Sequence, residues 1–280
     1  MQIQNISDVI KAVDTIEENG KERFTNLLAN DVILSSWINK KQITAYFTPT
    51  NIFIFRQRPC GKRLYFYSSN LENLRDDLKH CLSAESEVIV SSILDRGDIS
   101  GLKIRNIFNQ AGFEHCAKIR RMSKLDFSGY TKNADVHFAK IQDTSQIAEI
   151  LEEYFDQLID EIPDRDEIEN EIRSNSIIVM RMPDSDKIAS FISFEKKGRT
   201  VWLKYIVSRK ECRSKAFYGR LILNEFLSMF SDVYRSILWV NEVNERAINL
   251  YLSSGYKFED VANYTFKFSI TNCANGGGII

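Results

Sequence analysis

The sequence predicts an α/β fold with a mixed sheet, built as two tandem copies of one strand-and-helix unit. Three observations predict it. Short runs rich in β-branched and aromatic residues alternate with stretches of helical period along the whole chain. Two helices stop on a glycine and lead into a strand, at IFNQAGF (107–113) and at LYLSSGY (250–256). Their glycines, Gly112 and Gly255, stand 143 residues apart, about half of the 280 residues. Self-similarity at a fixed offset is the mark of a duplication.

The first half opens on Ile3 to Leu28, which reads as helical with acidic and basic faces. Thr44 to Arg56 and Lys62 to Ser68 are rich in Phe, Tyr and Ile around Pro59-Cys60-Gly61, and predict strand, turn and strand. Leucines at 71, 74 and 78 predict a helix over Leu71 to Leu82. Glu87 to Leu94 reads as a strand, Leu102 to Ala111 as a helix ending at Gly112, and His115 to Leu125 as a strand. The polar stretch Asp126 to Asp135 reads as the linker, which divides the chain into domains at 1–130 and 131–270 with a flexible Gly-rich tail at 271–280.

The second half repeats the order. Val136 to Ile141 predicts a strand and Thr144 to about Ile162 a helix stopped by Pro163. Asp164 to Ser174 predicts a charged helix, whose acids read as a solvated face and not as a metal site. Strands follow at Ser176 to Met182, Lys187 to Lys196 and Thr200 to Val207, the first two joined by the turn Pro183-Asp184-Ser185-Asp186. SRKECRSKAFYGRLILNEFLSMF is a loop entering a long amphipathic helix. SILWVN is a buried strand, NERAINLYLSSGY a helix and FEDVANYTFKFS a closing strand.

Composition narrows the function. The chain is 44% hydrophobic and 27% charged, with a formal net charge of −1. That balance leaves no electrostatic footprint for nonspecific nucleic-acid binding. No stretch is apolar enough to span a membrane, and the start lacks the pattern of a signal peptide. Cys60, Cys81, Cys116, Cys212 and Cys273 are scattered without metal spacing and read as reduced thiols of a cytoplasmic protein. His80, His115 and His137 carry no motif. The sequence gives no oligomeric state.

The helix from Asn244 to Tyr256 concentrates the chemistry. Asn244, Ala247, Ile248 and Tyr251 share one face, so two polar groups fall on a stripe expected to be buried. With Gly255 four residues beyond Tyr251, this strand, helix and strand resembles the C-terminal half of the GNAT acetyltransferase fold. The resemblance implies two tandem GNAT-like acyl-CoA N-acyltransferase domains, and it is clearest over residues 134–268. It implies acetyl-CoA as the acyl donor and a primary amine of a small molecule or peptide as acceptor. It assigns Tyr251 the role of general acid and Asn244 a contact to the pantetheine arm. It gives the backbone around Ile206, Val207 and Ser208 to the acyl carbonyl, and Arg213-Ser214-Lys215-Ala216-Phe217-Tyr218 to the pyrophosphate.

Orphan amides and the positive end of a helix dipole make such a turn an anion site. Lys204, Arg209, Lys210, Arg213, Lys215 and Arg220 add positive charge there. The turn departs from the family pattern, because Ala216 and Tyr218 stand where small residues, glycine above all, are usual. No carboxylate occupies the usual general-base position, where Lys204 stands; Glu195 and Glu242 are candidates, each better read as a salt-bridged or solvated carboxylate, and a water chain is the alternative. In the first copy Phe108 replaces Tyr251, Gly101 replaces Asn244, and SSNLENL has neither basic cluster nor glycines, so that copy reads as a degenerate structural partner. Plain structural readings stand beside these: Asn244 as a helix cap and Tyr251 as a core aromatic. The alternative functions are a longer-chain or amino-acid N-acyltransferase, such as those similar to glycine N-acyltransferase, and a non-catalytic CoA- or ligand-binding protein. A transferase acting on aminoacyl-tRNA is a further rival, and the near-neutral charge opposes it.

Overall fold

Capping fixes where most of the helices start. In the computed structural model, which describes residues 3–20, 22–130, 132, 135–212, 218–230 and 232–269, eight α-helices are described. They are α1 (Ile6–Glu18), α2 (Asp31–Asn39), α3 (Leu71–Leu82), α4 (Ile99–Gln110), α5 (Thr144–Tyr154), α6 (Arg165–Arg173), α7 (Tyr218–Ser228) and α8 (Glu245–Ser253). Asn5, Asn30, Asn70, Asp98, Asp164 and Asn244 each accept a bond from an amide of the first turn that follows. A side-chain oxygen there satisfies a donor that the helix cannot.

Twelve strands are described: β1 (Phe24–Thr25), β2 (Ile43–Phe47), β3 (Asn51–Arg58), β4 (Gly61–Ser68), β5 (Ile89–Asp95), β6 (Glu114–Lys124), β7 (Val136–Phe138), β8 (Ile177–Arg181), β9 (Ile188–Lys197), β10 (Thr200–Ser208), β11 (Arg235–Asn241) and β12 (Lys257–Phe268). The chain divides into two units, residues 1–118 with 261–280, and residues 119–260. The linear division at 130/131 expected from the sequence does not have this form, because β6 and β12 each contribute to both units.

In the first unit β2, β3 and β4 form an antiparallel meander, and β4 pairs in parallel with β5. The antiparallel partner of β5 is the C-terminal part of β12, Ala262 to Phe268. One face carries a core with Leu74 and Leu78 of α3 and Ile104 and Phe108 of α4. The other carries a core with Val9 and Ile16 of α1 and Leu34 and Trp37 of α2.

The second unit repeats this plan. Strands β7, β8, β9 and β10 are antiparallel, and β10 pairs in parallel with β11. The antiparallel partner of β11 is the C-terminal part of β6, Ile119 to Lys124. Helices α7 and α8 pack on one face with Ile222, Phe226 and Tyr251. Helices α5 and α6 pack on the other with Ile147, Leu151, Ile168 and Ile172. Each copy therefore completes its sheet with the last strand of the other copy.

The structure adjusts several expected elements. Of Ile3 to Leu28, only Ile6–Glu18 is helical, and residues 24–25 are a strand. Helix α2 lies in a stretch for which the sequence reading proposed no element. Thr44 to Arg56 is two strands, since the chain reverses at Thr48, whose amide donates to Asn51 O (2.8 Å). Helix α5 ends at Tyr154 and not near Ile162; Asp156 turns the chain by accepting from the Leu158 amide at 2.8 Å. Within the expected linker, Tyr130 is partly buried and its hydroxyl donates to Ser254 O (2.8 Å). The tail at 271–280, with Cys273, lies outside the described residues. No helix among the described residues is long and apolar enough to cross a membrane.

Candidate active site

The site begins with a break in strand pairing. The parallel register of β10 with β11 covers Thr200–Leu203 against Arg235–Leu238. Beyond it both strands run on. Strand β10 continues to Ser208 against β9, and β11 continues to Asn241 against β6. Among the described residues, the two strands share no ladder past Leu203. The divergence starts at a bulge between Leu203 and Tyr205, and a bulge bends a strand and re-aims its side chains. Ile206, Val207 and Ser208 all lie on the divergent part of β10.

Helix α7 starts at the end of that gap. A Cβ on Gly219, in its first turn, would lie 3.2 Å from Ser208 Oγ and 3.7 Å from Leu250 Cδ2 of α8. A glycine here lets the helix start close against β10. Arg213, Ser214, Lys215, Ala216 and Phe217, expected to hold the pyrophosphate, lie outside the described residues. Tyr218 is the first residue of α7, and it packs partly buried on the core shared with α8.

Helix α8 supplies the remaining groups. Asn244 is its N-cap: Oδ1 accepts from the Ala247 amide at 3.1 Å, and the residue is exposed. This corrects the expectation that Asn244 belongs to a buried stripe. The cap engages Oδ1. Tyr251 does lie inward, 4% exposed, its ring 5.8 Å from that of Tyr256. Burial alone pushes its phenol well above the ordinary tyrosine value, so it stays protonated at neutral pH. Tyr256 shares a hydrogen bond with Ser236 Oγ (2.7 Å).

Gly255, at φ +82°, ends the helix. The Gly255 amide donates to Leu252 O and the Tyr256 amide to Tyr251 O, both at 3.0 Å, which is the Schellman stop. Helix α4 ends identically, with Gly112 at φ +97°, Gly112 N donating to Asn109 O and Phe113 N to Phe108 O. Phe108 and Tyr251 thus occupy one position of a duplicated motif. Gly101 is not a cap like Asn244, because α4 starts earlier, at Ile99, with Asp98 as its cap.

The opposite face of the gap carries a pair that the sequence reading missed. Lys204, the bulge residue, is ion-paired with Glu171 of α6, and Ser193 Oγ donates to the same carboxylate at 2.7 Å. Glu171 follows Ile168 by three positions and precedes Ile172, on the flank of a buried stripe. That spacing was the available signal. Glu195 is instead an exposed residue paired with Lys197 at 2.9 Å, and Glu242 is exposed in the turn after β11. The other described cations have local uses. Arg209 Nε donates to Ile188 O (2.9 Å), Lys210 Nζ lies 5.4 Å from the Tyr154 ring centroid, and Arg220 reaches Ser253 Oγ at 3.5 Å.

No protein-family model matches the sequence, and no curated protein matches it. Solved structures match its fold. One is a GCN5-related N-acetyltransferase from Sphaerobacter thermophilus, at TM-score 0.57 and 12% identity over 92% of this chain and 90% of that one. Another is a GCN5-related N-acetyltransferase from Kribbella flavida, at TM-score 0.57 and 9% identity over 99% and 98%. A third is a tandem GNAT protein from the clavulanic acid biosynthesis pathway, at TM-score 0.58 and 9% identity over 94% and 95%. The fold of the chain is that of the GNAT acetyltransferases, in two tandem copies.

Proposed function

We propose that the unit of residues 119–260 transfers an acyl group from acyl-CoA, with acetyl-CoA as donor, to a primary amine of a small molecule or peptide. The observation that carries this reading is the loss of register between β10 and β11 beyond Leu203, with α7 starting at one end and the phenol of Tyr251 on one face. An extended amide-containing arm fits a gap between two strands, because strand edges offer it backbone donors and acceptors.

In this reading the neutral amine attacks the thioester carbonyl. Charge develops on the carbonyl oxygen, and an amide of β10 around Ile206 to Ser208 stabilises it. The C–S bond breaks, the thiolate takes the proton of the Tyr251 phenol, and the proton lost by the amine returns to the phenolate through solvent. Burial disfavours a thiolate as it disfavours a phenolate, so the two proton affinities rise together. Asn244 donates from its NH2 to the pantetheine arm, and the segment 213–217 with Tyr218 holds the phosphates.

A second reading, acyl-CoA binding without transfer, is favoured by the burial of Tyr251 in a packed aromatic core. Acetyl-CoA at a hundred times its dissociation constant raises stability by about 2.7 kcal/mol if it binds the folded state alone. The test is a thermal shift with acetyl-CoA, followed by CoA release with a panel of primary amines. No shift with any acyl-CoA rejects both readings. A shift without CoA release selects the second.

A further inference from the structure

The first unit contains the same break in pairing, and there the chain fills it. Among the described residues, strand β4 pairs in parallel with β5 at Lys62 and Arg63 alone, against Ile89 and Val90. Past that point its edge is taken by the segment after α1. Strand β1 lies antiparallel on it, with Phe24 opposite Ser68 and Thr25 opposite Tyr67. Asn26 then enters between β4 and β5. Its Oδ1 accepts from the Phe66 amide at 2.7 Å. Its Nδ2 donates to Leu64 O (3.2 Å) on β4, and to Ser91 Oγ (3.0 Å) and Ser92 O (3.0 Å) on β5. Its backbone amide and the Thr25 hydroxyl both donate to Phe66 O, at 3.3 and 2.6 Å.

One side-chain amide thus bridges two strands whose backbone ladder has ended, alongside the bond from Ser91 Oγ to Leu64 O (2.9 Å). The amide oxygen accepts one bond, and the two hydrogens of the NH2 are shared among three acceptors. Upstream, Gly20 lies against Ser69 at the turn before α3, so close that a Cβ would collide with the Ser69 hydroxyl and carbonyl. The segment therefore follows β4 from the α3 end to the point of divergence. In the second unit that path is the one the acyl donor would take.

We infer that residues 24–26 are the permanent occupant of the β4/β5 cleft, an internal strap supplying the hydrogen bonds that an amide-containing ligand would make. The cleft is closed to acyl-CoA, and the chain binds one donor, between β10 and β11. The last clause rests on the function proposed above; the strap itself does not.

Amide hydrogen exchange separates the two. The Phe66 amide, held by a side chain alone on that edge, is protected in the full-length protein. Asn26→Ala speeds its exchange by about tenfold or more, the effect of losing roughly 1.4 kcal/mol of local bonding. Amides of β8 and β9 do not change. Fast exchange at Phe66 in the unaltered protein overturns the strap, and that measurement stands even where the variant fails to fold. Saturating acetyl-CoA leaves Phe66 protection unchanged and slows exchange at 204–208. Loss of protection at Phe66 on adding acetyl-CoA, or two donors per chain by calorimetry, overturns the inference. No change anywhere with acetyl-CoA rejects the proposed function and leaves the strap standing.

Discussion

In the proposed reaction Tyr251 carries the most chemistry of any single side chain. It is inward on α8, buried, and protonated well past neutral pH because burial disfavours the phenolate. Tyr251→Phe removes one oxygen and keeps the ring that packs on Tyr256, so the fold and the acetyl-CoA thermal shift are unchanged. Turnover with an accepted amine falls by roughly 10²–10⁴ if the phenol is the acid. Unchanged turnover assigns the proton to another group.

The sequence disclosed Tyr251 because helical period and a terminal glycine locate it on the inner face. It did not disclose Glu171, because pairing with Lys204 joins residues 33 positions apart on a helix and a strand. Such a pair depends on which side of a bulge a lysine emerges, and a bulge leaves no regular mark in the residue pattern. The opposite error occurred at Asn244. Its position on the helical wheel pointed inward, but an N-cap stands outside the helix and answers to the first-turn amides before any stripe.

At the scale of elements, helix α8 is where structural and functional demands meet. Asn244 caps it through Oδ1, and a donor contact to a pantetheine arm would use Nδ2. The two uses separate by substitution. Asn244→Asp keeps the cap and removes the NH2, so stability holds while acetyl-CoA affinity falls. Asn244→Ala loses both, with about 1 kcal/mol of stability lost as well. Thermal melts with and without acetyl-CoA read both quantities. Equal acetyl-CoA shifts in the Asp variant and the parent leave Asn244 as a cap alone.

Elements with strong local signals were legible. Helix α3 begins after Asn70 and ends at Leu82 as its leucines predict, and β6 and β12 lie within a residue or two of the strands expected there. Strand β1 was not legible. Two residues cannot show a period, and Phe24-Thr25 is a strand only because β4 offers an unused edge. The helix predicted to Ile162 stops at Tyr154 because Asp156 captures the Leu158 amide at 2.8 Å, a local competition that periodicity cannot register.

At the scale of the whole molecule, the duplication was legible and its closure was not. Gly112 and Gly255 end their helices with the same pair of bonds, so the 143-residue offset marks a real structural repeat. The exchange of last strands, β6 to β11 and β12 to β5, leaves no trace in either repeat, because a strand of the same pattern satisfies either partner. The two copies then diverged at the same place. One break in parallel pairing is spanned by Asn26; the other is the opening proposed for the acyl donor.

The central claim is that the opening between β10 and β11 receives the acyl donor. The most direct measurement is a crystal structure grown with CoA. The account predicts the pantetheine arm running beside residues 205–208 of β10, with the sulfur within hydrogen-bonding reach of the Tyr251 hydroxyl. CoA seated elsewhere on the chain, or Tyr251 walled off from the sulfur by its neighbours, would contradict it.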